Sequence, residues 1–288
     1  MTPFRFLIAE SESPEEREKR RESAGSSSGE TYAETLRAIA PGALCELIRP
    51  AEDDGPLPSP EMIGAHDAVF FSGAPMHVYA DSPEVRRMLE FTRGVFAAGV
   101  PSFGSCAGLQ LAVAAAGGRV GERAEGQEAG FARRITPTQA GREHPMLRGR
   151  PPSFDAPAIH GDEVTELPPD AVLLATSTGT RVQAAEIRCG EGVFWGVQYH
   201  PEIGLEEIAQ SLRRQADTLV KRGLATDHDA AENFAGQVET LGRDPGRRDV
   251  AWQLGLDEET TVTERRQREL RNFIGTLAEP RRAKRSGG

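Results

Sequence analysis

The stretch Val100-Pro101-Ser102-Phe103-Gly104-Ser105-Cys106-Ala107-Gly108-Leu109-Gln110 decides how the chain folds. An apolar run with the composition of a buried strand ends in small residues, a cysteine stands at the turn, and a helix begins near Ala107. This is the layout of a nucleophile elbow in its cysteine form. Gly104 and Gly108 let the backbone turn sharply and let the new helix pack against the strand. A helix N-terminus behind the thiol lowers its pKa and offers backbone N–H groups to an oxyanion. A cysteine at a buried strand end can also be plain core, and only a partner base separates the two readings.

Upstream of the elbow, strand and helix patterns alternate. Phe4–Ala9 reads as a first buried strand, Thr31–Ala40 as a helix stopped by Pro41-Gly42, and Ala43–Ile48 as a second strand. Ala68–Phe71 is a third strand that runs into the turn Ser72–Pro75, and Ser82-Pro83 opens a helix reaching about Ala98. Alternation of this kind implies an α/β domain with a mostly parallel central sheet flanked by helices. The polar, Ser/Gly-rich segment Ser11–Glu30 reads as a long loop, and whether it closes over a site is left open.

Downstream, the pattern turns strand-rich from about Gly130 to Val197, with strands expected at Phe131–Ile135, Ala171–Thr176, Val182–Ile187 and Val193–Val197. Ile203–Arg222 reads as one amphipathic helix. The main domain is placed at residues 1–222, followed by a helical C-terminal extension over residues 223–288 whose basic end reads as disordered. Its apolar cluster at Val250, Trp252, Leu254 and Leu256 is expected to pack back onto the domain or onto a second copy of the chain, which would make a homodimer.

The partner base comes in Val193–Glu202. A strand delivers His200 and, two residues later, Glu202. His200 can take the thiol proton and return it to a leaving amine, while Glu202 orients the imidazole. In this chain order the two segments together are far more specific than either alone.

Both segments resemble the signatures of class I glutamine amidotransferases, Gly-x-Cys-x-Gly-x-Gln and Gln-x-His-Pro-Glu, with the glutaminase domain of GMP synthase as the nearest likeness. Phe71-Ser72-Gly73-Ala74-Pro75, Glu128-Ala129-Gly130-Phe131 and Ala158–Val164 resemble further motifs of that domain. The resemblance covers roughly residues 4–222 and implies a flavodoxin-like fold. It implies that the Cys106 thiolate attacks the side-chain amide of glutamine or of a γ-glutamyl amide. Backbone N–H groups near Gly73 or Ala74 and at Ala107 would hold the oxyanion, His200 would release the amine, and water would cleave the thioester. Gln110 would bind substrate, and His160 would lie near the site. No metal or organic cofactor is implied. Ala74 stands where the relative has a second glycine. Ala107 replaces a residue that is often bulky, which either enlarges the pocket mouth or changes nothing.

An amidotransferase usually feeds ammonia to a synthetase, so service to a separate synthetase subunit is the alternative context. No Gly-x-Gly-x-x-Gly or Gly-x-x-x-x-Gly-Lys segment occurs, and the stretch after Arg222 is too short for a nucleotide-binding domain. Lys and Arg total 34 against 44 Asp and Glu, a net charge of −10. Such a surface repels nucleic acid and anionic membranes. Three widely spaced cysteines, Cys45, Cys106 and Cys189, suggest neither a disulfide framework nor a zinc site. Cys45 and Cys189 read as structural, and His66, His77, His144 and His228 as surface or loop residues. With no apolar run long enough to span a bilayer, a reducing cytoplasm is the expected compartment.

Overall fold

The computed structural model describes residues 2–52 and 55–286, with side chains to residue 278. The first half runs β1 (Arg5–Ala9), α1 (Pro14–Ala24), α2 (Ser28–Ile39), β2 (Leu44–Ile48), α3 (Pro60–Gly64), β3 (Ala68–Phe71), α4 (Pro83–Ala98), β4 (Ser102–Ser105) and α5 (Ala107–Ala115). Then come β5 (Arg119–Glu122), β6 (Glu128–Pro137), α6 (Gln139–Glu143), β7 (Phe154–His160), β8 (Asp162–Glu166), β9 (Val172–Thr176), β10 (Ala184–Cys189) and β11 (Gly192–Val197). The chain ends in helices α7 (Leu205–Arg214), α8 (Ala216–Lys221), α9 (His228–Arg243), α10 (Arg248–Leu254), α11 (Glu258–Thr261), α12 (Thr263–Arg266) and α13 (Arg268–Ser286).

Nine strands form one sheet in the order β2-β1-β3-β4-β11-β10-β9-β6-β7, and β5 pairs with β8 in a small second sheet. Pairing is parallel from β2 through β1, β3 and β4 to β11, as the strand–helix alternation predicts. From β11 outward it is antiparallel, which accommodates the strand-rich second half. The strands β5, β7 and β8 were not expected, because their sequences lack clear apolar–polar alternation.

Side chains alternate across each strand, and the core divides accordingly. Phe6, Ile8, Phe70 and Phe103 enter one apolar cluster, while Leu7, Ala9, Val69 and Phe71 enter another on the opposite face. Each fully buried Phe contributes about 1.5–3 kcal/mol relative to an exposed one. Helices α4 and α5 cover the second face through Phe91 and Leu109. The first face is closed by α2, through Tyr32 and Leu36, and by α13, through Leu270, Phe273 and Ile274. Phe273 lies 5.6 Å from both Phe70 and Phe103 between ring centroids. Val250, Leu254 and Leu256 join α7 in a third cluster, whereas Trp252 is 82% exposed. The expected single helix over Ile203–Arg222 is two, with Gln215 at the break. The basic end of the chain, read as disordered, has its side chains outside the described residues.

Ser11–Glu30 is not the loop expected of it. Ser13 and Glu16 form a capping box, Pro14 sits in the first turn, and α1 follows. Ser27 and Glu30 form a second capping box that starts α2. No residue of α1 is buried, so no apolar periodicity could announce it. Polar contacts fasten the helix instead. Arg17 pairs with Glu52, and Arg20 with both Glu12 and Glu207.

Arg150 ties the tail to the sheet. Its guanidinium donates to Glu269 Oε1 and Oε2, both at 2.7 Å, and to Glu259 Oε2 at 2.8 Å. Tyr199 Oη donates to Glu269 Oε1 at 3.0 Å, and Glu269 has no solvent exposure. Truncating one partner of a buried pair strands the other charge, at a cost of about 3–5 kcal/mol. Glu269→Ala should therefore lower the unfolding free energy by an amount of that order, measured by equilibrium denaturation in urea.

Candidate active site

The sequence around Cys106 folds as its spacing demands. β4 lies between β3 and β11 with all four residues buried. Cys106 then takes φ 53° and ψ −108° before α5 begins at Ala107. Positive φ is rare for a non-glycine residue, and the Cys106 N–H donates to Val197 O at 2.8 Å, which anchors the turn to β11. A Cβ on Gly108 would stand 2.8 Å from Phe71 Cβ and 2.9 Å from Phe71 O. Only glycine there lets α5 pass this close to β3.

β11 runs parallel to β4 with Val197 opposite Ser105, so the residues just past both strand ends meet. The His200 N–H donates to Pro157 O at 2.8 Å. Its Nδ1 lies 2.7 Å from Glu202 Oε1, and its side chain lines the same cavity as Cys106. Cys106 and His200 are each 6% exposed and Glu202 is 5%. Burial by itself pulls the imidazole pKa down. The Glu202 carboxylate, which also accepts a hydrogen bond from the ring, and the nearby Cys106 outweigh it, and the pKa rises to about 10. At neutral pH the imidazole is thus held as a cation beside the thiol.

Cys106, His200, Gly73, Ala74, Gln110 and His160 line one cavity of about 380 Å³. Gly73 is pressed against the histidine, since a Cβ there would come within 2.6 Å of His200 Cε1. Gln110 Nε2 donates to Asp162 O at 3.1 Å and to Gln198 Oε1 at 3.2 Å. His160 Nδ1 lies 2.9 Å from Asp162 O and Nε2 lies 2.9 Å from Glu128 Oε2. Burial pushes the Glu128 carboxyl up, but His160, Gln183 and Arg123 together leave it below the ordinary carboxylate value. Gln110 and His160 therefore form a braced wall of the cavity. Ala107 is fully buried and is not part of the lining.

The structure adds residues that the sequence reading passed over. Glu202 Oε2 accepts from Ser105 Oγ at 2.8 Å, and Ser105 Oγ is hydrogen-bonded to Tyr32 Oη. His77, read as a surface or loop residue, lines the cavity and meets Asp162 Oδ2 at 2.7 Å. His144 lies in the bend after α6, as a loop residue was expected to, and is half-buried against Glu186 and Trp195. Helix α1 supplies Glu16, Lys19 and Arg20 to the cavity wall. The Ser13-x-x-Glu16 capping box was the available signal for that wall.

Residues 46–216 match the family described as glutamine amidotransferase class-I. The chain is 33% identical over 285 residues to a γ-glutamyl-L-1-hydroxyisopropylamide hydrolase from Pseudomonas sp., covering 97% of this chain and 95% of the relative. It is 33% identical over 166 residues to the glutamine-hydrolysing GMP synthase subunit of Ignicoccus hospitalis, covering 58% of this chain and 82% of the relative. A glutamine amidotransferase from Thermotoga maritima has the same fold, with a TM-score of 0.65 at 18% identity over 97% of this chain and all of that one. The chain belongs to the class I glutamine amidotransferase family and is an enzyme of its amide-hydrolysing kind. Among the described residues, no helix is long and apolar enough to cross a membrane.

The raised pKa of His200 has a consequence for stability. The folded value of about 10 lies above the ordinary 6.5. The imidazolium therefore contributes stability that is fully present below pH 6.5 and is lost as pH rises through about 10. Urea midpoints measured across that window should fall with pH, and should fall much less in Glu202→Gln. Gly73→Ala should displace His200 and lower turnover by about 100-fold or more with the fold retained, as read by steady-state kinetics beside circular dichroism.

Proposed function

We propose that the chain hydrolyses γ-glutamyl amides of small amines, with Cys106 as nucleophile, His200 as proton carrier and Glu202 as its orienting carboxylate. The observation that carries this reading is that Cys106 and His200 line one cavity while His200 Nδ1 is held 2.7 Å from Glu202 Oε1. The Cys106 thiolate attacks the amide carbonyl carbon, forming a C–S bond and placing negative charge on the oxygen. Backbone N–H groups at Gly73 or Ala74 and at Ala107 receive that oxyanion. The His200 imidazolium gives its proton to the amide nitrogen, the C–N bond breaks, and the amine leaves. His200, now neutral, takes a proton from water, which attacks the thioester; the C–S bond breaks and glutamate is released.

The donor class is supported by the end-to-end match to a hydrolase named for a γ-glutamyl amide. The cavity volume falls within the ~300–1,000 Å³ typical of small-molecule sites. A reducing cytoplasm suits an enzyme that works through a free thiol.

The likeness to the GMP synthase relative supports a second reading, in which the chain supplies ammonia to a separate synthetase. That role calls for an apolar docking surface at the pocket mouth. Among the described residues, the exposed large apolar side chains are Leu44, Met62, Tyr79, Val172, Leu224 and Trp252. Of these only Tyr79 borders the cavity, through Asp162, so autonomous hydrolysis is preferred.

Release of ammonia or amine from L-glutamine and from γ-glutamyl amides of small neutral amines tests the proposal. The purified chain should turn over steadily, with higher kcat/KM for the substituted amides than for glutamine. Cys106→Ala should lose at least about 1,000-fold. Turnover of glutamine alone, and only after a synthetase is added, would support the ammonia-supplying role instead.

A further inference from the structure

We propose that Ser105 and Tyr32 are positioning residues that hold Glu202, and through it His200, in the reactive arrangement. This rests on reading Cys106, His200 and Glu202 as the reacting line. Glu202 uses one oxygen for the imidazole, with His200 Nδ1 at 2.7 Å from Oε1. The other, Oε2, accepts from Ser105 Oγ at 2.8 Å. Ser105 Oγ in turn is hydrogen-bonded to Tyr32 Oη.

The direction of these bonds follows from the chemistry of the groups. A carboxylate only accepts, so the Ser105 proton is committed to Glu202. The remaining contact at Ser105 Oγ must then be filled by the Tyr32 hydroxyl as donor. Tyr32 is fully buried, and burial together with the Glu202 charge pushes its phenol well above the ordinary tyrosine value. It keeps its proton and remains a donor. Donation thus converges on Glu202, from Tyr32 through Ser105 on one side and from His200 Nδ1 on the other.

Two elements make the chain possible. Successive side chains of a strand point to opposite faces. Cys106 enters the cavity, while Ser105, one residue earlier, reaches behind the histidine. Helix α2 faces the same glutamate twice: Thr35, three residues on from Tyr32, donates to Glu202 O at 3.3 Å. Ser105, Tyr32 and Glu202 are all buried, so bulk water is poorly placed to replace a lost donor. Removing the Ser105 hydroxyl leaves Oε2 unpaired in a dry site, free to turn away from its present geometry.

The test uses the full chain carrying Ser105→Ala, Tyr32→Phe, both together, and Ser105→Thr. Ser105→Ala should lower kcat by about 10- to 100-fold, the range set by loss of a hydrogen bond to a charged group. KM should stay within about twofold, because the substrate contacts are untouched. Alkylation of Cys106 by iodoacetamide at neutral pH should slow in the same variant. Tyr32→Phe should move both readouts in the same direction by less, and the double variant should be no worse than Ser105→Ala. Ser105→Thr should restore the alkylation rate. Wild-type kcat and alkylation rate in both Ser105→Ala and Tyr32→Phe would overturn the proposal. So would losses that only follow a fall in Tm and are not restored by threonine. If Ser105→Ala fails to fold, Tyr32→Phe, which removes a single oxygen, decides alone. A wild-type chain with neither turnover nor a reactive Cys106 would instead overturn the reading of the reacting line.

Discussion

Cys106 sits at φ 53° and ψ −108°, a backbone state that costs a non-glycine residue about 1–3 kcal/mol. The state persists because its surroundings leave no alternative. β4 is buried between two parallel neighbours, the Cys106 N–H is committed to Val197 O, and α5 is pressed against Phe71 by the absence of a side chain at Gly108. With those constraints in place, the thiol projects into the cavity and the N-terminus of α5 lies beside it. The parallel register of β4 and β11 then brings His200 to the same place, just beyond the strand ends. Ligand sites in open α/β sheets recur at such strand ends.

The rest of the molecule holds this arrangement still. Helix α2 packs Tyr32 and Leu36 into one core face and braces Glu202 from behind. Helix α1 contributes no buried residue, yet it walls the cavity with charged side chains, its arginines tied to Glu52, Glu12 and Glu207. The tail reaches as close to the site as Tyr199, the residue before His200, through the buried Glu269–Arg150 pair. Polar contacts thus join three segments distant in sequence around one imidazole.

Much of this was legible in the residues, and what was not has a physical reason. The parallel half of the sheet announced itself through unbroken apolar runs at Phe6–Ala9 and Ala68–Phe71, and the elbow through its small residues around a cysteine. The pairing of His200 with Glu202 followed from their spacing beyond a strand. The antiparallel extension was visible only as strand-rich sequence, since β7 is buried at most of its positions and shows no clear alternation. Helix α1 was hidden because ion pairs, not an apolar stripe, fasten it; its capping box alone marked it. Ser105 and Tyr32 were hidden because their partner is a carboxylate distant in sequence, a contact that no local pattern encodes.

The central claim is that Cys106 carries the acyl group during turnover. Intact-mass spectrometry of the protein, quenched in acid while it hydrolyses a γ-glutamyl amide, tests it most directly. The account predicts a γ-glutamyl adduct that maps to Cys106 and disappears when the donor is exhausted. Steady turnover without any adduct on Cys106, retained in Cys106→Ala, would contradict it.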